Sequence, residues 1–312
     1  MNYSNKYIDE INKDKLFVKS NLEKVVRLLD VLTFISEELN SQENKLVLKG
    51  GTAINLVYNN LARLSVDIDL DYVGSLDKEK TEQDRVIIMD ALDNYMIGED
   101  YIVSSKSRGS AILVSRTYSY TNAFGNKDNI KVEINFIDRV HIDHSIRKAI
   151  KCFDKEVVIN TLGKEELFGM KICALVDRAK PRDLFDIYMM GKRLSNMDVL
   201  LLRKMTVFYM SLDNIFEINM NTFDRIKMIS QEDIKKELLP VLSRNNRFDL
   251  IQAKESVISF LEELLTLTNE EKEYLIEFAK GNYNPSLLFE GLYADNALKH
   301  PMAKWIIVNL KK

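Results

Sequence analysis

Ser65-Val66-Asp67-Ile68-Asp69-Leu70-Asp71-Tyr72-Val73 is the stretch that decides the fold. From Val66 to Val73 the residues alternate, with Val66, Ile68, Leu70 and Tyr72 on one strand face and Asp67, Asp69 and Asp71 on the other. Carboxylates two residues apart on a strand point the same way, roughly 7 Å from each other. They repel and are poor strand formers. The pattern has a purpose if a cation sits between them. Hard divalent ions such as Mg²⁺ take oxygen ligands and leave positions open for phosphate oxygens. The alternative is a half-exposed strand with a solvated acidic face, and this segment alone leaves both open.

Two further segments bear on it. In Lys131-Val132-Glu133-Ile134-Asn135-Phe136, Lys131, Glu133 and Asn135 share one face and the apolar residues fill the other. If this strand neighbours the first, Glu133 completes a three-carboxylate site with Asp67 and Asp69, as metal ligand, general base or both; alone it is a polar strand face. Lys49-Gly50-Gly51-Thr52 lies between a strand and a helix. Glycines let a phosphate approach the backbone, and a helix N-terminus favours anions. It lacks the Gly-Lys-Ser/Thr ending of a Walker A loop, and an ordinary tight turn with a Thr cap reads equally well.

Working outward, helical spacing runs from about Tyr7 to Glu38, through Leu22, Val25, Val26, Leu29, Leu32 and Ile35. A strand is expected at Lys45–Lys49, a helix from Thr52 to about Tyr58, and another from Lys78 to about Ile97. Further strands are expected at Tyr101–Lys106, Ala111–Tyr120, Asn129–Ile137 and Glu156–Ile159, with Asn122–Asn129 supplying turn residues. From Leu162 the pattern is helical almost to the end. The expected fold is α/β (α+β): a small mixed sheet flanked by helices, then an all-helical C-terminal domain. Residues 1–160 form the first domain and 161–312 the second, with a cleft between them.

Composition agrees. The 312 residues include 11 Gly and 4 Pro, well below the usual roughly 7% and 5%, which disfavours a sandwich of many short strands. A net charge of −3 excludes a uniformly basic nucleic-acid coat, but not a local basic face. Cys152 and Cys173 with three histidines support neither a disulfide framework nor a zinc cluster. His141, His144 and His300 read as structural or surface residues. No run approaches the roughly 18 apolar residues of a membrane span, and the opening residues lack an apolar signal core. A cytoplasmic protein is expected.

Together the three motifs resemble the nucleotidyltransferase superfamily related to DNA polymerase β. Its pattern is Gly-Gly or Gly-Ser opening a helix, Asp-x-Asp on the next strand, and a later Asp or Glu on another. Here residues 53 to 66 separate Thr52 from Asp67. Lys49-Gly50-Gly51-Thr52-Ala53, Arg63-x-Ser65-x-Asp67-Ile68-Asp69-Leu70 and Asp177-Arg178-Ala179-Lys180-Pro181-Arg182-Asp183-Leu184-Phe185-Asp186-Ile187-Tyr188 resemble the AbiEii family. That family comprises toxin nucleotidyltransferases of bacterial abortive-infection and toxin–antitoxin systems. The likeness spans residues 45 to 190, with a fainter echo in Pro285-x-Leu287-Leu288-Phe289, His300-Pro301 and Trp305.

The resemblance implies that Gly50, Gly51 and Thr52 hold a nucleoside triphosphate and that Asp67 and Asp69 bind two Mg²⁺ ions. Glu133 stands where the family often has Asp; it would be the third metal ligand and the base. Lys171, Arg178, Asp183 and Asp186 match a late motif. Lys171 and Arg178 would meet the nucleotide, and Asp183 would join the catalytic set. The simpler role of Asp183 and Asp186 is to stabilise the N-terminus of the helix opened by Pro181, by about 0.3–1 kcal/mol. Arg63 either acts in the site or screens the carboxylates, and Asp71 is a bystander. The implied reaction moves NMP from NTP to an acceptor, expected to be the tRNA 3′ end, blocking translation in abortive infection and antiviral defence. The implied partners are NTP, tRNA and a cognate antitoxin that acts without a stable complex, with the toxin a monomer. A protein or small-molecule hydroxyl as acceptor, and a nucleotide-binding regulator without activity, are the alternatives.

Overall fold

The alternation around Asp67 is resolved by a mixed sheet. The computed structural model describes residues 2–41, 43, 45–192, 197–219 and 221–310. The strands are β1 (Leu46–Lys49), β2 (Asp67–Tyr72), β3 (Ile102–Val103), β4 (Arg108–Gly109), β5 (Leu113–Thr121), β6 (Lys127–Asn135), β7 (Ile146–Cys152) and β8 (Lys155–Thr161). They form one eight-stranded sheet in the order β3-β5-β6-β2-β1-β8-β7, with β4 added to β5. β2 runs parallel to β6 and β1 parallel to β8, and the remaining pairs are antiparallel.

β2 is central, so its apolar face is sealed. Ile68, Leu70 and Tyr72 are fully buried, and Ile130, Val132 and Ile134 of β6 are buried beside them. Each such aliphatic side chain contributes about 1.5–3 kcal/mol on burial. Repulsion between two half-exposed carboxylates roughly 7 Å apart costs about 0.6–2.4 kcal/mol. The apolar face therefore outweighs the acidic one, and the strand forms.

The sheet belongs to the first of two units, made of Met1–Arg139, Ser145–Thr161 and Pro240–Asn246. Its helices are α1 (Asn5–Asn12), α2 (Lys19–Phe34, extended by a π turn to Leu39), α3 (Gly50–Ala53, extended by a π turn to Tyr58) and α4 (Lys78–Gly98). Leu22, Val25, Val26, Leu29 and Leu32 form the fully buried stripe of α2, as its spacing predicts. Asp77 caps α4 by accepting the Lys80 N–H at 2.8 Å. Pro240–Asn246 is tied in where the Val241 carbonyl accepts the Leu64 N–H at 2.8 Å and the Arg244 N–H reaches the Leu16 carbonyl at 3.1 Å.

Several strand expectations shift: Tyr101–Lys106 narrows to Ile102–Val103, Ala111–Tyr120 becomes Leu113–Thr121, and Arg108–Gly109 adds a short strand. β6 starts at Lys127 and not Asn129, because the turn is tight: the Asn122 side chain accepts the N–H groups of Phe124 and Asn126 at 3.0 Å each, and Gly125 adopts φ +79°. β8 is longer than Glu156–Ile159. It pairs with β7, a strand the sequence pattern does not announce because Arg147, Lys148 and Ala149 are exposed on the sheet edge. Phe153, at φ +59°, sits in the turn between them.

The second unit comprises Val140–His144, Leu162–Leu239 and Arg247–Lys312. Its helices are α5 (Lys164–Arg178), α6 (Pro181–Gly191), α7 (Val199–Leu212), α8 (Asp224–Lys227), α9 (Gln231–Asp233), α10 (Leu250–Leu264), α11 (Asn269–Ala279), α12 (Gly291–Lys299) and α13 (Pro301–Leu310). No strand occurs there among the described residues, as the uninterrupted helical pattern predicts. No described helix is long and apolar enough to cross a membrane.

Candidate active site

The Gly-Gly turn is built against the acidic strand. β1 ends at Lys49, and Gly50 turns the chain with φ +67°. A Cβ at Gly50 would lie 2.3 Å from Oδ2 of Asp69. A Cβ at Gly51 would lie 2.9 Å from Nη2 of Arg63 and 3.0 Å from Oγ of Ser65. Both glycines are thus required by close packing within the protein. Gly50→Ala is expected to cost about 1–2 kcal/mol from the left-handed backbone and to displace Asp69. The check is a melting curve beside a transfer assay, and an active, fully stable variant would contradict it.

Thr52 is fully buried, and its hydroxyl donates to the Asp67 carbonyl. Its side chain ties the turn to β2. Arg63 is buried under the turn, where its Nη1 donates to the Leu64 carbonyl at 2.9 Å. Asn55 bridges the same region, donating to the Gly51 carbonyl at 2.9 Å and accepting the Arg63 N–H at 3.3 Å.

Parallel pairing of β2 and β6 places Asp67 opposite Lys131, Asp69 opposite Glu133 and Asp71 opposite Asn135. The sequence-based condition is met: Glu133 stands beside Asp69. Asp67, Asp69 and Glu133 are all half-buried. They do not converge, however. Glu133 Oε2 is 2.6 Å from Lys131 Nζ, and among the described residues no group of three or more acidic, His or Cys side chains is arranged to hold a metal. Burial alone would lower the Lys131 pKa. The bond to Glu133 and the charges of Asp67 and Asp69 outweigh it and hold the ammonium above its ordinary value.

Asp71 has a different fate. It is fully buried and pairs with Lys49 at 2.5 Å. Burial pushes the Lys49 pKa down, and Asp71, Asp138 and Asp69 more than compensate. This internal pair anchors the lower end of the acidic face. As donors, Asp67 and Asp69 fit a hard divalent cation: both are carboxylates on a half-exposed face, and a side chain at position 50 would crowd the Asp69 carboxylate.

The late motif lies in the second unit. α5 ends at Arg178, Ala179 turns left-handed at φ +47°, and Pro181 opens α6. The helical hairpin brings Lys171 against Asp183 at 2.8 Å and Asp186 at 3.4 Å. Arg178 adds two bonds to Asp183, at 2.7 and 3.2 Å. Lys171 is 8% exposed, Asp183 2% and Asp186 0%. The two acids therefore do far more than stabilise a helix end. Burial raises the Asp183 pKa, but Lys171 and Arg178 dominate and hold it below the usual carboxylate range. Lys171 is already neutralised by two carboxylates, whereas Arg178 is 55% exposed. The basic run continues differently: Lys180 pairs with Glu237 at 3.1 Å, and Arg182 donates to the Glu237 carbonyl at 2.8 Å.

Sequence reasoning missed a buried acid in this unit. Glu166 accepts the N–H groups of Ile142 and Asp143 at 2.9 and 2.8 Å and the Tyr209 hydroxyl at 2.5 Å, with His141 at 3.4 Å. Burial raises its pKa, but His141, Tyr209 and the Ile142 N–H reverse this and lower it. His141 is structural here, as expected. A glutamate in the first turn of a helix looks like ordinary dipole compensation, so no local signal marks it.

The sequence profile of the AbiEii family, described as nucleotidyl transferase toxins of type IV toxin–antitoxin systems, matches residues 34–264. No curated protein sequence matches the chain. Among solved structures, the fold is similar to that of MenT4, a nucleotidyltransferase toxin from Mycobacterium tuberculosis H37Rv. The TM-score is 0.66 at 16% identity, covering 99% of each chain. It is also similar to a candidate nucleotidyltransferase from H. pylori, with a TM-score of 0.50 at 17% identity, covering 84% of this chain and 98% of that one.

Proposed function

The chain belongs to the AbiEii family of nucleotidyltransferase toxins of type IV toxin–antitoxin systems, and on that premise we propose that it transfers a nucleoside monophosphate from an NTP to the 3′ end of tRNA. The effect would be to stop translation and growth as an abortive-infection, antiviral device. The observation that carries the reading is Glu133 placed beside Asp69 on parallel strands, next to the Gly50-Gly51 turn.

In the transfer, the acceptor hydroxyl oxygen bonds to the α-phosphorus. The bond from that phosphorus to the oxygen bridging to the β-phosphate breaks, and pyrophosphate leaves. Gly50 and Gly51 receive the triphosphate along their backbone. Asp67 and Asp69 would hold Mg²⁺, with Glu133 as the third carboxylate and the acceptor of the hydroxyl proton. Two such ions, when bound, would polarise the phosphoryl oxygen and neutralise the departing pyrophosphate. Arg178, half-exposed, would contact phosphate; its guanidinium is held by Asp183, which also pairs with Lys171. The toxin works as a cytoplasmic monomer and is countered by a cognate antitoxin without a stable complex.

An RNA acceptor needs local cations on a chain of net charge −3. The exposed edge strand supports one. Arg147 and Lys148 pair with Asn160 and Ile159, next to Thr161, which pairs with Leu48 just before the Gly-Gly turn. Reversing both charges (Arg147→Glu, Lys148→Glu) is expected to cut tRNA labelling at least about tenfold and to flatten its log–log salt dependence by about 1–2. Unchanged labelling with an unchanged salt slope would remove β7 from the RNA surface.

The direct test incubates the protein with Mg²⁺, each α-³²P-labelled NTP and total tRNA, beside an Asp67→Ala, Asp69→Ala control. Label on tRNA that vanishes in the control supports the reading. Label on a protein or small molecule instead would overturn the tRNA acceptor. Absence of label with every NTP would overturn the proposed transfer.

A further inference from the structure

Lys131 is the more exposed of two lysines beside the acidic strand that the proposed chemistry leaves unused. It stands opposite Asp67 in register, and its ammonium is 2.6 Å from Glu133. It is 39% exposed and Glu133 25%. The other lysine of this region, Lys49, is 17% exposed, and its partner Asp71 is fully buried. Lys49 is therefore held against a buried partner, whereas Lys131 is the more exposed to solvent. A lysine carries a compact charge on a flexible four-carbon stem, suited to leaving one partner for another.

We propose that Lys131 is the resident counter-cation of the acidic strand. It holds Glu133 and competes with the divalent metal for the carboxylate face, so metal loads onto Asp67 and Asp69 against a standing positive charge. This rests on the reading of Asp67 and Asp69 as the metal-holding pair. The physical logic has two sides. Without a cation, three carboxylates on neighbouring strands repel one another, and Lys131 relieves that repulsion. With a divalent ion present, the ammonium is a like charge. In a water-like dielectric, repulsion between a divalent ion and an ammonium on the neighbouring strand is on the order of tenfold in metal affinity. Glu133 becomes available as a ligand or base once the ammonium swings away. Lys131 is thus a positioning residue, acting through Glu133.

The experiment is Mn²⁺ binding to the full chain without nucleotide, followed by the electron paramagnetic resonance signal of free Mn²⁺. Lys131→Met is expected to bind Mn²⁺ about tenfold more tightly than wild type. Lys131→Arg, which keeps the charge, should stay within about twofold of wild type. An Asp67→Asn, Asp69→Asn control should lose binding. Equal or weaker binding in Lys131→Met, with the control still deficient, overturns the role of Lys131 and leaves the metal reading standing. Undiminished binding in the control, or no binding by wild type and Lys131→Met alike, overturns the metal reading and this proposal with it. Circular dichroism melts establish that each variant is folded, and Lys131→Gln serves the same measurement if Lys131→Met does not fold.

Discussion

Replacing Asp69 with asparagine is expected to lower nucleotide transfer by at least about 10³-fold, equivalent to about 4 kcal/mol of transition-state stabilisation, while leaving the protein folded. Asparagine keeps the size of the side chain, so the close packing against Gly50 survives. What it loses is the negative charge that would hold a hard cation beside Glu133. The loss falls on the chemical step, because charge on the transferring phosphoryl group must be stabilised where it develops. The measurement is single-turnover transfer from labelled NTP, with a thermal melt run in parallel. Transfer within tenfold of wild type, at unchanged melting temperature, would take Asp69 out of the site. Asp71→Asn makes the contrast: its carboxylate is buried against Lys49, so removing its charge should lower stability before it touches transfer.

Lys171→Met is expected to destabilise the protein by about 3 kcal/mol, the lower end for a broken buried pair, because Arg178 stays on Asp183 while both acids lose the ammonium they share. Breaking one side of a buried pair costs more than the pair contributes, since the remaining charge still has to be kept from water. Asp183→Asn in the same background should recover part of the loss. The pH dependence has a definite sign. In wild type the folded pKa of Asp183 lies below the usual carboxylate value. Its contribution is present above that value and lost as the pH falls through the depressed folded pKa. In Lys171→Met the same carboxyl is buried without the lysine, its pKa rises, and it takes up a proton at a higher pH. The gap between variant and wild type therefore narrows as the pH drops from 7 toward 4. Melts across that range check this, and a constant gap would show that the lysine acts through packing alone.

Local pattern carried much of this protein. The alternation at Val66–Val73 specified the strand and its acidic face, because side-chain direction on a strand has a fixed period of two. The stripe from Leu22 to Ile35 and the unbroken helical spacing after Leu162 worked for the same reason. The order of Gly50-Gly51, Asp67-x-Asp69 and Glu133 was legible as well, since spacing and residue type are properties of the chain. The exposed hairpin strand Ile146–Cys152 was harder: an edge strand buries too little to show clean alternation. The return of Pro240–Asn246 to the sheet unit has no local signature.

The pairing of charges was decided by the tertiary structure alone. Sequence placed Lys131 and Glu133 on one face, but not the ammonium on that carboxylate. It named Lys171 and Asp183 but not their burial against each other. It named Thr52 in the turn but not the bond from its hydroxyl to the Asp67 carbonyl. It passed over Glu166, which three donors converge on from other segments. Periodicity is set by each residue's own backbone, so it can be read along the chain. Which cation meets which carboxylate depends on strand order, on the tightness of the turn at Ala179 and on what burial leaves exposed, and those arise only when distant segments pack.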